Sequence, residues 1–297
     1  MDDGYELLDS GDGRRLERFG SRLVDRPAPG ATDPRRDPGI WADAITYRAG
    51  RGWAAADGLP ASTGDEVVEV VGVRLLTSLA AGGQVGVFPE HGRNATWVRA
   101  AVARRTPAPC GDDGDAPLDP PAVLNLFAYT GLLTLVAAAG GAAVTHVDAS
   151  RPAVQWARRN ADANGMADRP IRWIVDDALS FLRREARRGR SYEGLILDPP
   201  SYGHGGEGGH AGAFRFERDT VELLAAARAV AALDAFWLLS THTIGWDAQR
   251  IAAALAAGTG QPIRAVRAVP LDMTATSRAR LALGAAARFD PLDAEPR

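Results

Sequence analysis

A carboxylate, two prolines and an aromatic ring follow one another at Asp198, Pro199, Pro200 and Tyr202, directly after the apolar run Gly194–Leu197. Proline locks φ and lacks an N–H, so two in a row hold a stiff, extended backbone where a strand would end. Asp198 and the Pro199 carbonyl can then accept hydrogen bonds from an amino group, while Tyr202 can stack on a planar base. The alternative is a plain strand terminator. The aspartate before the prolines and the aromatic after them favour chemistry. His242 closes a second apolar run, FWLLSTHTIG (236–245). An imidazole with an unperturbed pKa of about 6.5 can act there as a general base, or equally as a satisfied structural residue.

Three further apolar runs end in polar groups. The first ends in Asn125, Phe127, Tyr129, Thr130 and Gly131, a turn that lets backbone approach a ligand at the start of a helix. It carries one glycine and is not the G-x-G-x-x-G signature of dinucleotide binding. The second ends at Asp148, 23 residues after Asn125, close to the spacing at which an acidic residue reaches both hydroxyls of a ribose. Asp148 competes with helix capping, for which Ser150 before Pro152 is the better candidate. The third ends in Asp176-Asp177, where a carboxylate can accept from an adenine amino group or cap the following helix. The glycine-rich stretch 203–213 carries His204, Glu207 and His210 and reads as a lid rather than a metal site. The five arginines of Arg183–Arg190 read as a solvated helix end, with phosphate contact the lesser reading.

The elements that would carry these residues alternate from Ala122 onward. Strands are expected at Val123–Phe127, Ala143–Val147, Ile171–Val175, Gly194–Leu197, Phe236–Ser240 and Arg280–Phe289. Helices are expected at Leu132–Ala139, Arg151–Asn164, Ala178 to about Arg188, Asp219–Ala232 and Asp247–Ala257. Repeated β-α units imply a parallel sheet with right-handed crossovers, whose ligands sit beyond the carboxyl ends of the strands. The first ninety residues read as short strands and turns. They contain a hairpin Tyr5–Ser10/Arg14–Phe19 with polar faces, an irregular connector over 26–39, and strands at Glu66–Leu76 and Gln84–Phe88. A helix capped by Asn94 is expected to run to Arg105, followed by a proline-rich surface loop over 106–121. The expected division is a small β-rich domain over 1–91 and an α/β, Rossmann-like domain over 92–297.

Composition excludes several classes. The chain of 297 residues has one cysteine, Cys110, so neither an intramolecular disulfide nor a cysteine-rich zinc site is available, and no metal is expected. All 34 basic residues are arginine, which removes lysine Schiff-base chemistry, a P-loop lysine and a Tyr-Lys dehydrogenase pair. The net charge of −3 provides no global field for a polyanion. No apolar run reaches the ~18 residues of a membrane span, and the acidic N-terminus lacks a signal core, so a cytoplasmic location is expected.

The four strand ends, in this order, resemble class I S-adenosylmethionine-dependent methyltransferases, in the branch related to the bacterial 23S rRNA cytosine-5 methyltransferases. VLNLFAYTG (123–131), VTHVDAS (144–150), VDDALSFL (175–182) and LDPPSYG (197–203) look like that branch's first four motifs. GVFPEH (86–91) is similar to its G-x-F-P-E-Q segment, with His91 in place of glutamine. The N-terminal YELLDSGDGRRLERFG and the late ARLALGAAARF match the same subgroup. The resemblance implies S-adenosyl-L-methionine as cofactor, with the Phe127–Gly131 backbone facing its methionine part and Asn125 also among the cofactor-binding residues. It further implies Asp148 on the ribose, Asp177 on the adenine, and Phe88 to His91 closing over the cofactor. Asp198 would lie beside the reacting methyl. The resemblance breaks at the nucleophile: His242 stands where the cytosine-5 enzymes carry a cysteine that adds to C6. Transfer to nitrogen or oxygen is therefore expected, on RNA (ribosomal by resemblance) or on a small molecule. A nicotinamide-dependent dehydrogenase and a non-catalytic cofactor-binding protein are the other classes the residues leave open. Oligomeric state is not legible.

Overall fold

The computed structural model describes residues 4–59, 61, 64–106, 119–201 and 214–293. The chain divides into two compact units: Met1–Gly92 with Leu271–Leu283, and Arg93–Pro270 with Gly284–Arg297. A single cut between residues 91 and 92 therefore misses the later segment that belongs to the first unit. Nothing local in that segment marks where it belongs.

The first unit is built on a five-stranded sheet in sequential order: β1 (Tyr5–Gly11), β2 (Arg14–Phe19), β3 (Arg22–Pro27), β4 (Ile45–Arg48) and β5 (Gly52–Ala54). Asp12 and Gly13, both at positive φ, make the tight β1–β2 turn. The hairpin's faces are not solvated as its polar residues suggested. Asp9, Arg15, Glu17 and, from β3, Arg26 are all buried. Each has partners: Glu17 accepts from Arg26 Nε at 2.5 Å and from the Tyr5 hydroxyl at 3.0 Å, and Asp9 accepts from Trp41 Nε1 at 3.0 Å and Ser277 Oγ at 2.6 Å. The run Glu66–Leu76 is two strands, β6 (Glu66–Val70) and β7 (Val73–Thr77), because Val71 and Gly72 both turn to positive φ. Residues 84–88 pair in no ladder, although the Val85 carbonyl accepts from Ser78 N at 3.1 Å.

The second unit holds helix α1 (Gly92–Ala103, whose first residue counts with the other unit) and then β8 (Ala122–Leu126), α2 (Leu132–Ala139), β9 (Ala143–Asp148), α3 (Arg151–Ala163), β10 (Ile171–Val175), α4 (Ala178–Arg187), β11 (Tyr192–Leu197), α5 (Phe216–Arg228), β12 (Ala231–Thr241) and α6 (Ala248–Thr259). Strands β13 (Arg267–Thr274) and β14 (Arg280–Phe289) follow, and the seven-stranded order is β10-β9-β8-β11-β12-β14-β13. Strands β8 to β12 run parallel to one another, and β14 runs antiparallel to β12. Asn94 does not cap α1. It lies inside the helix, where its Oδ1 accepts from Arg288 Nε at 2.9 Å. Helix α5 starts three residues earlier than its sequence pattern suggests and ends at Arg228, so β12 begins at Ala231.

Ser150, Asp177 and Asp247 cap α3, α4 and α6, accepting from the N–H three residues on. Leu124, Leu126, Leu195, Ile196, Leu197, Leu238 and Leu239 are fully buried in this sheet. Truncating any one of them to alanine costs about 2–5 kcal/mol, a large share of a domain's stability. Three of the five arginines in the Arg183–Arg190 run form ion pairs: Arg183 with Glu222, Arg184 with Asp176, and Arg188, just past α4, with Glu185 at 3.0 Å. Among the described residues, no helix is long and apolar enough to cross a membrane.

Candidate active site

The strand order reverses at β8, since β9 lies on one side of it and β11 on the other, and a crevice at such a point binds ligands. Beyond β8 the backbone of Phe127, Tyr129 and Gly131 turns left-handed, at φ 55°, 50° and 91°. L-residues pay roughly 1–2 kcal/mol for that conformation, so the two aromatics persist there only because the surroundings hold them. Four bonds do so. Ala128 N donates to Val147 O at 3.1 Å, Gly131 N to Ala128 O at 3.0 Å, Tyr129 N to Asp148 Oδ2 at 2.8 Å, and Asn160 Nδ2 to Thr130 O at 2.8 Å. Gly131 is required twice over, because a Cβ there would also sit 3.1 Å from the Ala157 methyl.

Asp148 accepts a second backbone N–H, from Ser150 at 2.8 Å to Oδ1. Each carboxylate oxygen keeps a lone pair for a further donor. Burial raises the Asp148 pKa, against the pull of the Ser150 and Tyr129 N–H groups.

Asn125, expected to face the cofactor, turns inward instead. Its Nδ2 donates to Thr134 Oγ1 at 2.9 Å, and it is 2% exposed. Asp177 is exposed and caps α4 through Oδ1, at 2.8 Å from Ser180 N.

At the end of β11, Asp198 N donates to Leu126 O at 3.4 Å, tying this strand end to that of β8. Asp198 Oδ1 accepts from Ser240 Oγ at 2.6 Å, and a His242 ring nitrogen lies within 4.8 Å of an Asp198 carboxylate oxygen. Pro199 is buried and Pro200 exposed. The β12 end is held by Thr243 Oγ1, which donates to Ser201 Oγ at 2.9 Å. Gly284 on β14 passes so close that a side chain there would collide with the Thr241 carbonyl and reach 3.1 Å from His242 Cα. Phe88 and His91 belong to the first unit. There Pro89–His91 form a 3-10 turn, with the Phe88 ring edge-on to His91 at 6.5 Å and Glu90 buried 4.0 Å from Arg15. Tyr202, His204, Glu207, His210 and Cys110 lie outside the described residues.

Four supporting residues are not apparent from sequence: Thr134, His146, Asn160 and Ser240. Only Ser240, two positions before His242, carried a local signal.

A crystal structure of an S-adenosylmethionine-dependent methyltransferase from Agrobacterium tumefaciens superposes with a TM-score of 0.82 at 30% identity, covering 97% of this chain and 90% of that one. No family model matches the chain. Among curated proteins, it is 34% identical over 159 residues to the ribosomal RNA large subunit methyltransferase K/L of Pseudomonas paraeruginosa, covering 53% of this chain and 19% of that protein. It is 32% identical over 137 residues to the ribosomal RNA large subunit methyltransferase I of Aeromonas salmonicida, covering 46% of this chain and 31% of that protein. The chain thus spans about a fifth to a third of these curated relatives. Fold and strand-end geometry define a class I α/β transferase domain. The chain belongs to the S-adenosylmethionine-dependent methyltransferases.

Proposed function

We propose that this protein transfers the methyl group of S-adenosylmethionine to a nitrogen or oxygen of RNA, ribosomal RNA by the names of its curated relatives. The observation that carries the reading is the Asp198 strand end, where one carboxylate oxygen is held by Ser240 and the Pro199 carbonyl is stiffened by the proline that follows it. The cofactor fits the neighbouring residues. Asp148 offers spare lone pairs to ribose hydroxyls, the left-handed Phe127–Gly131 loop presents backbone to the methionine end, and Asp177 stands by for the adenine.

When bound, the sulfonium supplies an already activated methyl group, so alignment and desolvation of the acceptor can provide much of the rate. Asp198 and the Pro199 carbonyl accept hydrogen bonds from the acceptor and direct its lone pair. Tyr202 stacks on the base that carries it. His242 takes the proton released as the acceptor is methylated. The chain's one thiol, Cys110, lies in the 106–121 segment, and by the resemblance His242 stands where the cytosine-5 enzymes carry their cysteine, which supports a route without a covalent cysteine adduct. Phe88 and His91 enter on the resemblance alone, and His91→Ala should weaken S-adenosylhomocysteine binding if they close over the cofactor.

The deciding experiment offers labelled S-adenosylmethionine with deproteinised RNA and, separately, with a metabolite extract. Label in RNA that disappears with Asp198→Ala supports the reading. Label only in small molecules overturns the substrate class.

A further inference from the structure

Beneath the Phe127–Gly131 loop runs a buried column of three polar side chains, one from each of β8, α2 and β9. Asn125 Nδ2 donates to Thr134 Oγ1 at 2.9 Å, and Thr134 Oγ1 is 2.9 Å from His146 Nδ1. All three are 2% exposed or less, and Asn125 and His146 are register partners on adjacent parallel strands. The hydroxyl accepts from Asn125 and bonds Nδ1 as donor or as second-lone-pair acceptor according to the imidazole tautomer, and in either tautomer Nε2 is the nitrogen left over. That Nε2 is buried and makes no hydrogen bond with any described residue. Burial alone drives the His146 pKa down to about 3, so the ring is neutral across the physiological range.

A fully buried imidazole with one nitrogen left over is a poor choice for stability. It carries the desolvation cost of an unmade bond, where its strand neighbours Val144 and Val147 are apolar and buried. A residue that breaks the local rule without a gain in stability is expected where it serves the site. The ring's Cε1 lies 3.8 Å from where a Gly131 Cβ would stand, and Thr134 sits in the first turn of the helix that Gly131 begins. The column therefore meets the loop where it turns left-handed into α2.

We propose that His146 is a positioning residue for the cofactor loop, acting through Thr134 and Gly131 to set the level of the first turn of α2 and so the path of Phe127–Gly131. The inference rests on the reading of that loop as the cofactor site.

The test measures S-adenosylhomocysteine affinity by calorimetry and thermal stability on the full chain. His146→Phe keeps a ring and removes both nitrogens. It should bind about tenfold more weakly with its melting temperature unchanged or raised. Thr134→Val is isosteric, breaks the column from the α2 side, and should show a similar affinity loss. His146→Asn, whose amide can pair with the Thr134 hydroxyl as donor or acceptor, should recover most of the affinity. Wild-type affinity in both His146→Phe and Thr134→Val overturns the proposal, and so does failure of both to fold, which would assign the column to folding alone. A wild-type chain that binds no S-adenosylhomocysteine would instead overturn the cofactor reading.

Discussion

Asp148 Oδ2 takes the backbone N–H of Tyr129 at 2.8 Å, so the carboxylate ending β9 and the left-handed loop ending β8 form one hydrogen-bonded unit. A change at either side is felt by the other. Asp148→Ala should weaken S-adenosylhomocysteine binding by about 1–3 kcal/mol, the scale of a lost acceptor that leaves donors unsatisfied. Calorimetry checks it, and unchanged affinity would remove Asp148 from the cofactor site.

The same carboxylate predicts a pH dependence of binding. Burial raises its pKa, and ribose hydroxyls donating to the ionised form would pull it back down. Binding should then expel a proton, and affinity should fall as the pH drops through the raised value. A flat affinity profile across the acid range, with no buffer-dependent heat, argues against the contact.

At the β11 end, Ser240→Ala removes the donor that orients Asp198 and leaves the carboxylate in place. Turnover should fall by roughly ten- to a hundredfold, with cofactor affinity unchanged, on the scale of one charge-assisted hydrogen bond of about 1.5–3 kcal/mol. Asp198→Ala should abolish most activity, and Cys110→Ser should retain it. A stable, Cys110-dependent complex with RNA containing 5-fluorocytosine would falsify the non-covalent route.

His146 should also mark the stability curve. Below pH about 6.5 the unfolded chain binds a proton that the folded imidazole refuses until about pH 3. Stability present above 6.5 is therefore lost across that window, at up to about 1.4 kcal/mol per pH unit. Stability-versus-pH curves of wild type and His146→Phe from denaturant titrations should differ by a slope of one proton there and run parallel above about pH 7.5. Curves parallel throughout would mean the ring titrates normally.

In the first unit, burial pushes Glu17 up, but the Arg15 and Arg26 guanidiniums and the bonds from Arg26 and Tyr5 outweigh it and hold the carboxyl low. This contribution is present above the ordinary glutamate value and is lost as pH falls through the lowered one. Glu17→Ala strands two buried arginines and should cost about 3–5 kcal/mol, measured by thermal unfolding. A near-neutral effect would show that water reaches Arg26.

The β-α alternation, the Ser150 cap, capping by Asp177 as one of its two readings, and the polar strand ends Asp148 and Asp198 were all legible in the amino-acid order. Each is set by interactions within a turn or a strand: apolar periodicity, a side chain three residues from an N–H, a proline that stops a ladder. The break at Val71-Gly72 was less legible, because only one glycine interrupts a continuous β-branched run. What three-dimensional packing decided is the partner of each polar group. Asn125 carries the same spacing to Asp148 whether it faces a ligand or the core. Only β9 and α2, which bring His146 and Thr134 against it, turn it inward. Ser240 lies 42 residues from Asp198, and Asn160 lies 30 from Thr130. Contacts at that separation leave no trace in local pattern, because they come into being only when the parallel strands are laid side by side and their ends share one edge.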